Sequence, residues 1–396
     1  MKKYREDFLI LRKKLKGKSI IYFDNACMTL KPIQVVNKIN EYYNEYPACG
    51  GRSQHQLGSR VTEEVNETRK LAAKSLNAKK SSEIVFTKNT TESINLIANS
   101  LDFKEGDKVL TTDREHNSNL IPWQIQTRIQ HETIPSNQDG TFNLEKLKEK
   151  LTKKVKLLSV VHTSNLDGYT LPVKEIIKLA HNNGTLVLLD AAQSAPHQEV
   201  NVKKLDVDFL ACSGHKMMGP TGTGILYGKE RLLNNLKPFI VGGETVTDST
   251  YKSQTFDKIP HKFEAGLQNY AGIIGLGAAI KYLNKIGMDK IQSHEQKLGD
   301  YIRKELTEDK IELINPQSQT SGIFSFNIKG MDSHMVALTL DKTSNIMIRS
   351  GHHCVHSWFN AHKINGSARA SLYLYNTKEE CELFCEEVKK IVKHFA

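Results

Sequence analysis

Between residues 84 and 227 the chain alternates short apolar runs with helix-patterned stretches, and this alternation narrows its fold more than any other feature. The runs at 84–87, 108–111, 155–162, 186–190, 209–213 and 224–227 read as strands. A helix precedes the first of them, with Val61, Val65, Thr68, Ala72 and Leu76 recurring on one face. The pattern predicts an α/β fold whose mostly parallel sheet is covered on both sides. Such sheets take ligands at the carboxyl ends of their strands. Two runs carry chemistry there. One stops at Asp190, and the other closes in Ser213-Gly214-His215-Lys216.

From about residue 281 the pattern changes to helix, then strands at 322–328 and 369–375, then a last helix to 396. With 396 residues to fold, this predicts three parts. These are an N-terminal amphipathic helix or arm (1–20), a large α/β domain (21–280) and a smaller α+β domain (281–396) bearing a cysteine loop. No low-complexity linker and no internal repeat interrupts them. The apolar runs are too short to span a bilayer. Residues 1–18 are lysine-rich, but Glu6 and Asp7 precede the apolar patch and cations follow it, an order unlike a secretory or transit signal. A cytoplasmic protein is therefore expected.

The formal charge is +11, yet the lysines interleave with glutamates, as in 146–154. Solvated helix faces explain this better than a nucleic-acid surface, leaving room only for an acidic partner or a transient tRNA contact. The six cysteines form no dense framework and no CxxC pair, which fits a reducing compartment. Cys381 and Cys385 share a helix face and read as packing residues.

A lysine and a carboxylate, each at the end of a core strand, are what a pyridoxal phosphate (PLP) enzyme needs. The lysine holds the cofactor's aldehyde and the aspartate keeps its pyridine nitrogen protonated. Asp190 alone reads equally as a helix cap. Thr90 and Thr91 open a helix after the first strand and suit a phosphate, although a plain threonine N-cap explains them too. Ser213 and His215 can complete that cradle. His116 can stack on a ring, and Asn165 and Gln193 can reach its phenolic oxygen. The 219–224 glycine-rich stretch lacks a P-loop ending and reads as a tight turn around Lys216. Ile348-Arg349-Ser350-Gly351-His352-His353-Cys354 places a cysteine in a loop suited to a reactive thiol. A metal site from His352, Cys354, His356 and His362 is the weaker reading, so no metal is expected. Arg369 is a natural clamp for a carboxylate, or else a structural ion-pair partner.

Together these segments, with Phe23-Asp24-Asn25-Ala26 and Phe263-Glu264-Ala265-Gly266, resemble the class V aminotransferase group of fold-type I PLP enzymes. Within it they resemble group II (Suf-type) cysteine desulfurases, over nearly the whole chain. The resemblance implies that Lys216, Cys354 and His116 are catalytic, with Cys354 taking sulfur from L-cysteine as a persulfide. It implies that Asp190, Gln193, Asn165, Thr90, Thr91, Ser213 and His215 bind the cofactor with Lys216 and His116, and that Arg369, Asn165 and Arg349 bind the substrate. It further implies a homodimer serving an acceptor of the SufE/SufU or scaffold type, in iron–sulfur cluster assembly or tRNA thiolation. Selenocysteine lyase or another class V activity is the enzymatic alternative, and a basic PLP-fold scaffold the non-enzymatic one. Several positions depart from the family pattern. Cys27 and Met28 replace small residues, Leu267 a threonine, and 355–359 the usual sequence after the cysteine.

Overall fold

The computed structural model describes residues 1–314 and 322–395. Its centre is a seven-stranded sheet. From edge to edge the strands are Ile84–Thr87, Gly224–Gly228, Phe209–Ser213, Leu186–Asp190, Val155–Val161, Asp107–Thr112 and Ile129–Ile134. All neighbours are parallel except Gly224–Gly228, which runs antiparallel to both of its own. Successive residues on a strand face opposite sides, and here both sides are buried. Leu210 and Cys212 enter one apolar cluster, whereas Phe209 and Ala211 enter another. The expected α/β sheet is present, with one strand more than the sequence indicated.

That strand is Ile129–Ile134, at the sheet edge. In its run of Gln130, His131, Glu132 and Thr133, two residues are exposed and two half-buried, so it lacks the apolar continuity that marks the central strands. The N-terminus also differs from expectation. Instead of one amphipathic helix it has a helical turn at Lys2–Arg5, a 3-10 turn at Leu9–Arg12 and a short hairpin between Lys14–Leu15 and Lys18–Ser19.

A second, antiparallel sheet of four strands has the order Ile311–Leu313, Ile323–Ile328, Ser367–Ser371, Arg349–Gly351. Helices Met288–Glu305, Ser333–Ser344 and Lys378–Phe395 supply Leu298, Val336, Cys381, Phe384 and Cys385 to the core against it. Arg369 lies in the middle of its strand rather than opening it, and that strand ends at Ser371 instead of reaching 375. Ala396 lies outside the described residues. Ile21 and Phe23 join this second core, because Ile21–Tyr22 pairs in parallel with Ile346–Met347. Just beyond this pairing, Ala26 and Cys27 reach the wall of a cleft. Among the described residues, no helix is long and apolar enough to cross a membrane.

Candidate active site

Strands Leu186–Asp190 and Phe209–Ser213 are adjacent and parallel, with Asp190 level with Ala211. The chain then turns through the 3-10 segment Gly214–Lys216. Gly214 N–H donates to the Thr223 carbonyl at 2.8 Å, and Gly219 N–H to the Gly214 carbonyl at 2.8 Å, so the 219–224 stretch wraps the lysine turn. Asp190 and Lys216 consequently line one cleft of about 460 Å³. That volume suits a cofactor together with a small substrate. Asp190 Oδ1 accepts from Ala192 N–H at 2.9 Å, while burial raises its carboxyl above the ordinary range. Burial likewise lowers the Lys216 ammonium, against the opposing pull of Asp190.

At one end of the cleft, helix Thr90–Ser100 points its N-terminus inward. Its cap is Asn89, whose side chain accepts from Glu92 N–H at 2.9 Å, so neither threonine hydroxyl is consumed by capping. Thr90 Oγ1 lies 2.7 Å from Ser213 Oγ, and Thr91 Oγ1 lies 2.7 Å from Ser118 Oγ. His215 completes this end; burial first, then Lys216 and Lys31, hold its imidazole down at about 4. His116 borders the same cleft and is held down at about 3 by burial, with Lys216 and Arg369 adding to it. Its Nδ1 accepts from Ser118 N–H at 3.1 Å, which fixes a neutral ring.

The opposite end belongs to the second sheet. Arg369 is 3% exposed; it donates to the Asn165 carbonyl at 2.9 Å and lies 3.6 Å from Asp24. Its Nε has no protein partner. Arg349 pairs with Asp24 at 3.3 Å and touches the Cys27 sulfur. Cys354 is exposed and also lines the cleft. Its loop is fastened on both sides: Asn165 Nδ2 donates to the His353 carbonyl at 2.7 Å, and Asn117 N–H to the Cys354 carbonyl at 2.7 Å. His353 and Cys354 both take positive φ, 50° and 59°. That conformation is uncommon outside glycine, and here it turns the cysteine at the loop tip.

The aminotransferase class-V family matches residues 21–384. The chain belongs to that family. A Synechocystis protein named a probable cysteine desulfurase is 41% identical over 99% of this chain and 96% of its own. The apo structure of a cysteine desulfurase from Thermococcus onnurineus is 41% identical with a TM-score of 0.94, covering 99% of this chain and 98% of that one. The cysteine desulfurase CsdA of Escherichia coli, in S-sulfonic acid form, is 30% identical with a TM-score of 0.92, covering 100% of this chain and 98% of the other.

The class-V cleft fits PLP on its own donor set. It offers a buried carboxylate and a half-buried lysine, hydroxyls at a helix N-terminus, and two buried polar atoms without protein partners, Gln193 Oε1 and Arg369 Nε. The residues expected to bind cofactor or substrate or to carry the reaction all line this one cleft: Lys216, Asp190, Thr90, Thr91, Ser213, His215, His116, Asn165, Gln193, Arg349, Arg369 and Cys354; His352 and His362 of the metal alternative do not. Two of their engagements were not foreseen. Gln193 Nε2 donates to the Ala26 carbonyl at 2.7 Å, and Asn165 Nδ2 holds the cysteine loop. The supports behind the class-V site were likewise missed. Glu115 is buried behind His116, accepting from Thr112 at 2.6 Å, Asn119 at 2.6 Å and Val161 N–H at 3.0 Å. Burial pushes its carboxyl up to about 8. Nothing in the sequence beyond an acid next to His116 marks that role.

Proposed function

We propose that this class-V protein is a PLP-dependent L-cysteine desulfurase of the Suf type. What carries the reading is a single cleft that joins a half-buried lysine and a buried carboxylate, an arginine with an unpartnered nitrogen and an exposed cysteine on a fastened loop. Lys216, Asp190, Gln193, Thr90, Thr91, Ser213, His215 and His116 would hold PLP. Bound there, PLP supplies an electron sink that weakens the bonds around the substrate's α-carbon and its Cβ–S bond.

The protein's own groups divide the remaining work. Arg369 binds the substrate carboxylate, and its guanidinium suits two parallel hydrogen bonds. Lys216 Nζ, its charged form disfavoured by burial, moves the proton at the α-carbon. Neutral His116 offers a flat face without bringing a second charge. Cys354 Sγ attacks the substrate sulfur: an S–S bond forms, the Cβ–S bond breaks, and the carbon keeps the electron pair and takes a proton. L-cysteine and a thiol become L-alanine and a persulfide, with every atom accounted for.

The persulfide would pass to an acceptor of the SufE/SufU or scaffold type. The reading also entails a homodimer in the cytoplasm and the division into 1–20, 21–280 and 281–396. The test is alanine release from L-cysteine, with PLP and a reductant, in wild type and Cys354→Ala. The expected result is loss of at least tenfold in the variant while PLP absorbance remains. Full activity in Cys354→Ala would overturn the persulfide step, and the same variant acting on selenocysteine would favour a lyase.

A further inference from the structure

We propose that Cys27 is a second sulfur carrier in the cleft, receiving the persulfide sulfur from Cys354. The inference rests on the desulfurase reading above. Both thiols line the same cavity as Lys216. Cys27 follows strand Ile21–Tyr22 in a turn with little freedom. Asn25 Nδ2 donates to the Ser371 carbonyl at 2.7 Å, Ala26 N–H donates to Ser371 Oγ at 2.9 Å, and Gln193 holds the Ala26 carbonyl.

Arg349 joins the two thiols' supports. Its guanidinium rests on the Cys27 sulfur and on Asp24, and its backbone begins the strand Arg349–Gly351 that leads into the Cys354 loop. A fixed cation against an accessible cysteine is a setting in which cysteine nucleophiles occur. The same end of the cleft holds the buried Arg369 with its unpartnered Nε, so it is built to receive an anion or a polar ligand. The remaining cysteines lack this company: Cys212, Cys381 and Cys385 are buried in the cores, and exposed Cys49 lies against Tyr270 outside the cleft.

The transfer balances without a co-reactant. The Cys27 thiolate attacks the outer sulfur of the Cys354 persulfide; a new S–S bond forms and the old one breaks. The electron pair leaves on Cys354 as its thiolate, and no net oxidation or reduction occurs. Cys354 is then free to process a second substrate before any acceptor arrives.

The experiment uses PLP-loaded full-length protein and L-cysteine, without reductant or acceptor. Wild type should release a burst of about two alanines per chain, and Cys27→Ser about one. Peptide mass spectrometry on wild type, which needs no variant to fold, should find the extra sulfur on the Cys27 and Cys354 peptides. In Cys354→Ser the Cys27 peptide should carry none. A wild-type burst of about one with sulfur on Cys354 alone would overturn the carrier while leaving the desulfurase reading intact. So would sulfur spread equally to Cys49, or sulfur reaching Cys27 in Cys354→Ser. No alanine at all would instead overturn the desulfurase reading.

Discussion

A guanidinium that is 3% exposed, with one nitrogen lacking a protein partner, carries a desolvation cost that a bound carboxylate offsets. Arg369→Lys keeps the charge but loses the planar fork. It should cost about 2 kcal/mol of substrate binding, or roughly thirtyfold in kcat/KM. Steady-state kinetics would check this, and an unchanged KM would remove Arg369 from the carboxylate site. Lys216 and Asp190 were legible in the sequence because each ends an apolar run, and a charged residue there has few structural uses. The commitments of Gln193 and Asn165 were not legible. Their partners, Ala26 and His353, stand 167 and 188 residues away, and an amide advertises nothing about which carbonyl it will meet.

Among the elements, the central strands declared themselves through continuous apolar runs, while Ile129–Ile134 did not, since an edge strand needs to bury only part of its surface. The turn after Phe209–Ser213 has the tightest demands. A Cβ on Gly214 would stand 2.2 Å from Thr223 Oγ1 and 3.1 Å from the Thr223 carbonyl. Gly214→Ala should therefore destabilise the protein by about 1–3 kcal/mol through overpacking. Because the displaced turn carries Lys216, PLP bound per chain should fall as well. Thermal melting and cofactor absorbance would check the two effects. A melting temperature and PLP content equal to wild type would show that the turn yields freely. The glycine-rich spacing predicted a tight turn, but only the packed structure reveals that Thr223 forbids a side chain at Gly214.

At the scale of the whole molecule, distant segments are locked together by buried charge. Arg69, on helix Gln56–Ser75, donates to both carboxylate oxygens of Glu264 at 2.7 and 2.8 Å, and Phe86 N–H donates to the same group at 2.7 Å. The pair spans 195 residues, so the sequence motif around Glu264 was recognisable while its physical purpose was not. Glu264→Ala strands a buried cation and should lower stability by about 3–5 kcal/mol, read from urea unfolding. A loss under about 1 kcal/mol would mean that water relieves Arg69 readily. The fastening of the Cys354 loop has a consequence of another kind. With the carbonyls of His353 and Cys354 both bonded to the large-sheet side of the cleft, the reactive thiol has no tether to swing on. Its sulfur then leaves only to a nucleophile presented within the same cleft, whether the Cys27 that lines it or one that a visiting protein extends as far as the loop.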